Sequence, residues 1–326
     1  MASKETAQNR PDMSNIGQRV TLRIHDPAGG FRDLVGVLES ESSLRKRDGS
    51  LVHFASSEIA VWRIIKPPLD RAGRGAPLSL RIQDMELAAN ATWPAKEEFR
   101  LGDWILRATG KFTMRANSVL ALGSPGVNLQ EAIATVVTFY RDRDLTPSIH
   151  IALPTYAELN QTLEDQGWTV AVTARVMVAD IADLLAEREK TERPLKEWEI
   201  NSSPSDEWIA LQGDQGVLEI MKSAPARYAG LRINGELIAV GRAATQDKWT
   251  VLTRLFVLPE YRGSGHGREL VRALIDDAMT LGATKTMLQV NATNTGAISL
   301  YHNMGFRQHH TYLYRSLQAS QSETKC

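Results

Sequence analysis

A glycine-rich turn between a predicted strand and a predicted helix is the feature that most constrains the fold of this chain. The turn reads Arg262-Gly263-Ser264-Gly265-His266-Gly267; an apolar segment at 249–258 precedes it and a helical pattern ending at Gly282 follows it. Glycine permits positive φ and leaves backbone N–H groups uncovered, and the start of a helix adds partial positive charge. The segment therefore predicts a strand–loop–helix unit that can hold an anion such as pyrophosphate.

Two better-known phosphate motifs do not fit this turn. A Walker A loop is excluded because no Gly-Lys-Ser/Thr sequence follows the glycines. The spacing also differs from the G-x-G-x-x-G of dinucleotide-binding folds, and the acidic residue expected downstream of that motif is missing. The loop is therefore not predicted to serve an NTPase or an NAD-dependent enzyme.

Two sequence motifs that follow one another in the expected order make the interpretation of this segment specific. Residues 256–267 resemble the acetyl-CoA-binding signature of the GNAT N-acetyltransferase superfamily, R/Q-x-x-G-x-G/A after a strand that ends in V-x-P. Residues 294–306 resemble the second signature of that superfamily, N-x-x-A-x-x-x-Y-x-x-x-G-F. The resemblance implies a catalytic GNAT domain over residues 195–317.

The resemblance also implies a role for each matching residue. Backbone groups of Phe256 and Val257 would contact the pantetheine arm of acetyl-CoA, the loop amides would bind its pyrophosphate, and Asn294 would contact the arm. Tyr301 would protonate the leaving thiolate. The predicted cofactor-binding residues are Phe256, Val257, Arg262, Gly263, Ser264, Gly265, His266, Gly267 and Asn294, and the predicted catalytic residue is Tyr301.

The chemistry is consistent with direct transfer to an amine. An alkylammonium has a pKa of about 10.4 and must lose a proton before it attacks, whereas a phenol with a pKa of about 10 can protonate a thiolate whose pKa is about 8.5. The one cysteine is Cys326, so an internal acyl-cysteine intermediate, an internal disulfide and a cysteine-based metal site are all excluded. No metal is expected at the site.

The general base is left open by the sequence. Some GNAT enzymes use a carboxylate on the strand before the phosphate loop, but residues 249–255 contain no Asp or Glu. Glu219, Glu236 or a chain of waters are the alternatives. Arg254 on the same strand either faces an acidic substrate or points outward.

The rest of the chain predicts an α+β protein with a small β-domain followed by two related halves. Residues 1–16 are predicted to be a flexible tail, and short alternating strands with turns over 17–68 resemble an SH3-like β-barrel. Residues 78–192 are predicted to be a degenerate GNAT-like half, which makes the fold a tandem GNAT. An offset of 138 residues places Gly305-Phe306 on Gly167-Trp168.

The first half lacks the residues that carry the predicted chemistry. At the same offset the three loop glycines correspond to Pro125, Val127 and Leu129, and Tyr301 corresponds to Leu163. Residues 115–118, Arg-Ala-Asn-Ser, lie on the equivalent strand and either line a substrate cleft between the halves or form a capped turn or ion pair. An anion cradle is therefore not predicted in the first half.

The charge balance and the hydropathy of the chain limit the kinds of partner that it is expected to bind. Lys+Arg and Asp+Glu both number 38, so the chain lacks the basic surplus typical of nucleic-acid binding. Residues 1–17 are polar and do not resemble a signal peptide or membrane anchor, and no apolar window is long enough to span a bilayer. A cytoplasmic enzyme without nucleic-acid or membrane partners is expected; the sequence indicates no oligomeric state.

The expected function is acetyl-CoA-dependent N-acetylation of a small primary amine. Bacterial GNAT proteins with an SH3-like N-terminal domain have been linked to glutamate N-acetylation at the start of arginine synthesis, and that resemblance implies a free amino acid, with glutamate as the named substrate. One alternative is a protein or peptide N-acetyltransferase. The other is a non-catalytic regulator that senses acyl-CoA and uses the β-domain as a binding module.

Overall fold

A computed structural model describes seven segments of the chain: residues 10–27, 29–46, 49–65, 75–110, 112–188, 198–212 and 218–318. The chain divides into two compact units, Met1–Leu69 and Asp70–Cys326. The predicted domain limits at 68, 192 and 195 lie outside the described residues, as do residues 1–9 of the predicted tail. Within the described segments, no helix combines the length and apolar character needed to cross a bilayer.

The N-terminal unit is a five-stranded antiparallel sheet with the order β4-β3-β2-β1-β5. Alternation along its first strand buries Val20, Leu22 and Ile24 on one face, as a period of two requires. The strands are β1 (Arg19–His25), β2 (Phe31–Ser40), β3 (Ser43–Arg45), β4 (Leu51–His53) and β5 (Ile59–Ile64).

Two expectations for this unit need correction. The predicted SH3-like barrel over 17–68 is not closed, because the described strands β4 and β5 lie at opposite ends of the sheet order. Closure of a barrel requires the end strands to pair, and β4 has only three residues with which to do so. The predicted tail also stops short of residue 16, because Met13–Asn15 form a 3₁₀ turn capped by Asp12.

The second unit contains two halves that share a succession of elements. In the first half, residues 78–188, these are α1 (Leu78–Ala91), β6 (Glu97–Leu101), β7 (Trp104–Ala108), β8 (Val119–Leu120), α2 (Leu129–Arg141), β9 (Ser148–Leu153), α3 (Ala157–Asp165), β10 (Thr169–Asp180) and α4 (Ile181–Arg188). In the second half, residues 198–316, they are β11 (Glu199–Asn201), α5 (Asp206–Gln212), α6 (Leu218–Met221), β12 (Arg227–Ile233), β13 (Glu236–Gln246), β14 (Trp249–Val257), α7 (His266–Thr280), β15 (Lys285–Asn291), α8 (Thr295–Asn303) and β16 (Arg307–Ser316). The succession α2-β9-α3-β10 is repeated as α7-β15-α8-β16.

The two halves share one sheet of eleven strands because they exchange their last strands. The order is β11-β12-β13-β14-β15-β10-β16-β9-β8-β7-β6. Strand β10 of the first half pairs antiparallel with β15, and β16 of the second half pairs antiparallel with β9. Each half also has one parallel pair, β8 with β9 and β14 with β15. Neither half therefore completes its sheet without the other.

Candidate active site

The strands β14 and β15 separate part of the way along their length. Their parallel ladder runs from Trp249↔Lys285 to Leu252↔Leu288 and stops there. Beyond Leu252, β14 continues on β13 alone, and β15 continues on β10. The change follows an irregularity in the β13–β14 register and a positive φ of 56° at Arg254, which is how a bulge bends a strand away from its neighbour. The gap leaves one edge of β14 open to a ligand.

The glycine-rich loop lies at the end of this open strand. Gly263 and Gly265 have φ values of 79° and 92°, and Gly265 is the residue immediately before α7. A Cβ at either position would meet no atom within 4 Å, so the loop surface is open there and glycine is required by backbone conformation. The first N–H groups of α7 lack carbonyl partners within the helix. The loop therefore fits the anion-holding role that the sequence predicts.

Arg262 fixes the loop to the strand end. Its Nε donates a hydrogen bond to the Val257 carbonyl at 2.9 Å, and its guanidinium lies 5.7 Å from the centre of the Phe256 ring. Phe256 and Val257 are the last two residues of β14 and pair with β13. Arg262 thus shapes the cradle, and Ser264 lies exposed within it.

His266 differs from the expectation of a loop residue. It is the first residue of α7, it is buried, and its Nδ1 lies 3.5 Å from Oε2 of Glu269 one turn later. Since the imidazole packs inward, any contribution of His266 to anion binding comes from its backbone.

Asn294 and Tyr301 lie at the start and near the end of α8. The Asn294 Oδ1 accepts a hydrogen bond from the Ala297 N–H at 3.1 Å and so caps the helix. Tyr301 is buried at 8% exposure, with its ring centre 6.0 Å from that of Phe306. Burial raises the pKa of Tyr301 to about 12, so the phenol is protonated at neutral pH and can act as a proton donor.

A close approach of α7 and α8 joins the two motifs. A Cβ on Gly267 would lie 3.2 Å from Cδ2 of Leu300, the residue before Tyr301. The missing side chain at Gly267 therefore lets the helix that carries Tyr301 pack against the start of α7.

A cavity of about 290 Å³ opens at the point where β14 and β15 separate. It is lined by both halves: Trp93, Thr113, Met114, Arg115 and Val172 from the first half, and Leu252, Thr253, Arg254, Gln289, Tyr312 and Tyr314 from the second. Arg115 and Arg254, which the sequence left as candidates, face the same cavity. Trp93, Gln289, Tyr312 and Tyr314 were not predicted, because the cavity is formed by segments that lie far apart in the sequence.

A buried polar cluster lies behind the cavity. Tyr312 donates a hydrogen bond to Gln289 Oε1 at 3.1 Å, and Gln289 Nε2 donates to Glu86 Oε2 at 3.4 Å. Oε1 of Glu86 is 2.9 Å from His310 Nε2. The His150 ring stacks on Tyr312 at 4.1 Å between centres.

The charge state of this cluster follows from its contacts. Burial acts to raise the pKa of Glu86, but His150, the hydrogen bond with His310 and the charge of Arg115 together lower it to about 2. Burial also lowers the pKa of His150 to about 3. Glu86 is therefore an ionised carboxylate, and it compensates part of the positive charge of Arg115.

The two carboxylates considered as general base do not line this cavity. Glu219 forms a surface ion pair with Lys96, and Glu236 accepts a hydrogen bond from Tyr261 at 2.8 Å. Neither residue is among those that line the cavity, and the general base stays open.

Comparisons with known proteins bear directly on this geometry. Residues 80–315 match the family described as "Probable histone acetyltransferase Rv0428c C-terminal". The chain is 28% identical over 322 residues to the probable histone acetyltransferase Rv0428c of Mycobacterium tuberculosis, covering 93% of this chain and 96% of that protein. It is 29% identical over 244 residues to the uncharacterized N-acetyltransferase YobR of Bacillus subtilis, covering 72% and 98%.

A solved structure shares the fold. A GCN5-related N-acetyltransferase from Kribbella flavida matches with a TM-score of 0.58 and 18% identity, covering 75% of this chain and 97% of that one. The match confirms the predicted α+β GNAT fold for the second unit. The relatives confirm the predicted enzyme class, a GNAT-type N-acetyltransferase.

Proposed function

This chain belongs to the family of the Rv0428c acetyltransferase C-terminal region, and from that premise we propose that it transfers the acetyl group of acetyl-CoA directly to a small primary amine. The observation that carries the proposal is the strand gap, which opens at Leu252 and ends at the loop before α7. An extended ligand with a pyrophosphate at one end fits a strand edge that leads to a helix start.

Different residues of the site are proposed to bind different parts of acetyl-CoA. The 262–267 loop would bind the pyrophosphate through backbone amides, and the end of β14 at Phe256 and Val257 would pair with the amide groups of the pantetheine arm. Asn294 is proposed to approach the arm from the start of α8, although its Oδ1 already caps that helix.

The reaction balances without an enzyme nucleophile. The acceptor ammonium first loses a proton to solvent, and the neutral nitrogen attacks the thioester carbon, forming a C–N bond. The C–S bond then breaks, the thiolate leaves with the electron pair, and the newly bonded nitrogen loses its second proton to water. Tyr301 donates its proton to that sulfur and is reprotonated from solvent. The products are the N-acetyl amide and free CoA.

The proposed acceptor is a free amino acid, with L-glutamate as the first compound to test. Protein substrates are the alternative, because relatives are named for them. One is a [ribosomal protein bS18]-alanine N-acetyltransferase of Salmonella typhimurium, 35% identical over 85 residues that cover 25% of this chain.

The first half supports the activity without an anion cradle of its own. Its repeated order of elements supports a tandem GNAT arrangement. When α2 and α7 are aligned at their first residues, Leu129 and His266, Asn128 and Gln130 stand at the positions of Gly265 and Gly267. The N-terminal sheet is proposed to be a binding module of SH3-like character.

Calorimetric titration with acetyl-CoA tests the cofactor site. Gly265→Glu places a carboxylate in the cradle, and we expect the Kd for acetyl-CoA to rise at least about tenfold, which corresponds to 1.4 kcal/mol. Gly282→Glu is the matched control, because Gly282 also has a positive φ of 87° and open space around it, at the other end of α7. Absence of binding to the native protein, or equal loss in both variants, would contradict the proposal.

Turnover of an amine panel, followed through release of free thiol, tests catalysis. Tyr301→Phe removes the proton donor and keeps the buried ring, so we expect kcat to fall by about 10²-fold with the Kd for acetyl-CoA unchanged. An unchanged kcat would remove Tyr301 from its role. If acetyl-CoA binds but no amine or peptide is turned over, the chain acts as a sensor of acyl-CoA.

A further inference from the structure

One outer strand of the eleven-stranded sheet has a free edge. Strand β6 ends the strand order, and among the described strands it pairs only with β7. An edge strand presents backbone N–H and C=O groups that no neighbouring strand takes up. The charged side chains of β6, Glu97, Glu98 and Arg100, are one way to keep such an edge from pairing at random. A second feature is therefore required before the edge indicates a binding site.

That second feature is a groove of about 830 Å³ beside the free strand. It lies between residues 96–99 and residues 131–143, and we call it the edge groove. Part of its lining is apolar, because the Phe99 ring is 51% exposed and its centre lies 6.3 Å from that of Phe139. Three short side chains of α2 also line it: Ala134, Thr135 and Thr138. They leave room for an extended main chain along β6.

The charges in the edge groove favour a basic occupant. Four carboxylates and two cationic side chains line it. Both cations are already engaged, since Lys96 pairs with Glu219 and Arg143 pairs with Glu97 at 3.0 Å. The other three carboxylates are exposed and form no ion pair with a described residue: Glu98, Glu131 and Asp142. Lysine or arginine side chains of a partner would supply the complementary charge.

Arg143 shows how the edge groove holds a guanidinium. Its Cζ lies 3.8 Å from the centre of the Phe139 ring, while its Nε donates a hydrogen bond to Oε2 of Glu97 at 3.0 Å. A cation over the face of an aromatic ring is attracted by the ring quadrupole. Phe99 provides a second and more exposed ring in the same groove. An arginine or lysine brought in by a partner would find both a ring and a carboxylate there.

We propose that the edge groove binds an extended, arginine- or lysine-rich segment of a partner protein, which adds a strand to β6. Main-chain hydrogen bonds to the free edge hold the segment, and every second side chain reaches the groove because strand side chains alternate. A second copy of this chain is the poorer occupant, since it would bring the same surplus of carboxylates to the interface. Six strands separate β6 from β14 in the sheet, so this docking surface is distinct from the candidate active site and does not depend on the proposed function.

Fluorescence anisotropy with labelled peptides tests the occupant on the full-length protein. The probe is an arginine–threonine repeat peptide long enough to cover β6. One comparison peptide replaces each arginine with glutamate, and another keeps the arginines but is N-methylated at every peptide nitrogen, so that it cannot add to a strand edge. We expect the probe to bind at least about tenfold more tightly than either comparison peptide, and its binding to weaken as the salt concentration rises.

Substitutions in the edge groove test the residues. Glu131→Gln combined with Asp142→Asn removes two carboxylates, and Phe99→Ala removes the exposed ring; each change should raise the Kd of the probe at least about fivefold. Glu158→Gln on α3 is the control for loss of an exposed carboxylate. Leu281→Ala is the control for loss of an exposed apolar side chain. Thermal unfolding followed by circular dichroism shows that each variant is folded.

Hydrogen exchange locates the bound probe. Amides of β6 should exchange more slowly in its presence, because their outward N–H groups then donate to the added strand. Strand β11, at the other end of the sheet order, is the internal control and should exchange at an unchanged rate.

Several results would overturn the inference. Equal binding of the N-methylated peptide would exclude strand addition, and equal binding of the glutamate peptide would exclude recognition of charge. An unchanged Kd in the variants, or protection outside β6, would place the probe elsewhere. A native dimer that becomes a monomer in Phe99→Ala, without binding of the probe, would assign the edge to a second copy. No measurement here uses acetyl-CoA, so failure of the proposed function would leave these results unaffected.

Discussion

At the scale of single residues, the least expected feature is an ionised carboxylate buried between α1 and the sheet. Glu86 is 2% exposed and lies against His310 and Gln289. A buried charge is tolerated when it is paired and hydrogen-bonded. The chain Glu86–Gln289–Tyr312 fixes which atoms of Gln289 face which partner, and Gln289 and Tyr312 both line the cavity. Glu86 therefore helps to hold two of the side chains that line the cavity.

The lowered pKa of Glu86 predicts a specific pH dependence of stability. Its folded pKa of about 2 lies below the ordinary value of 4.5, so its contribution to stability is present above pH 4.5 and is lost as pH falls toward 2. The shift corresponds to about 3 kcal/mol. Urea denaturation should show that the stability difference between native protein and Glu86→Gln shrinks by about this amount across that window.

A variant that loses an exposed carboxylate is the control for the loss of a negative charge alone. Glu158→Gln removes an exposed carboxylate from α3, and its stability should follow that of native protein at every pH. Burial lowers the pKa of His150 to about 3, and the charge of Glu86 opposes that shift. His150 therefore costs stability as pH falls from about 6.5, equally in native and Glu86→Gln protein well above pH 3 and more in Glu86→Gln below it. A stability difference between native protein and Glu86→Gln that stays constant from pH 6 to pH 2 would contradict the assignment of Glu86 as ionised.

At the scale of elements, the local sequence was sufficient to predict those parts of the candidate site that lie within one strand–loop–helix unit. The turn at Gly263 and Gly265 and the helix that carries Tyr301 were predicted from patterns of a few residues, since positive φ and helix starts leave local signatures. The alternation of apolar residues also predicted the N-terminal strands. It did not predict that the described sheet is left open, because closure depends on whether strands far apart in sequence pair.

Strand exchange explains why several residues that line the cavity were not predicted from the sequence. Local patterns predicted β10 and β16 as strands, but hydrophobic alternation does not identify a strand's neighbours. Only the pairing of β10 with β15 and of β16 with β9 brings Val172 and Tyr312 to the cavity. Arg254 could be identified in advance because it lies on the strand before the loop. Arg115 was also predicted on a strand, but it lies in the 3₁₀ turn Met114–Ala116.

At the scale of the whole molecule, the exchanged strands make the first half a structural part of the second half, which carries the candidate active site. Two strands of the first half, β10 and β9, flank β16. The buried cluster around Leu163 in the first half also contains Leu313 of β16. Loss of packing in the first half should therefore destabilise the sheet that carries the active site.

A substitution far from the gap tests this coupling. Leu163 is fully buried, and Leu163→Ala should lower stability by about 2–5 kcal/mol. If the halves unfold together, acetyl-CoA binding and hydrogen-exchange protection of the β15 amides should be lost at the same lowered temperature as the helical signal of circular dichroism. Leu281→Ala, at a position 55% exposed, should leave all three at the native temperature, since surface substitutions change stability by about 0.5 kcal/mol or less. Protection of β15 that persists to the native temperature in Leu163→Ala would show that the second half folds on its own, despite the shared sheet.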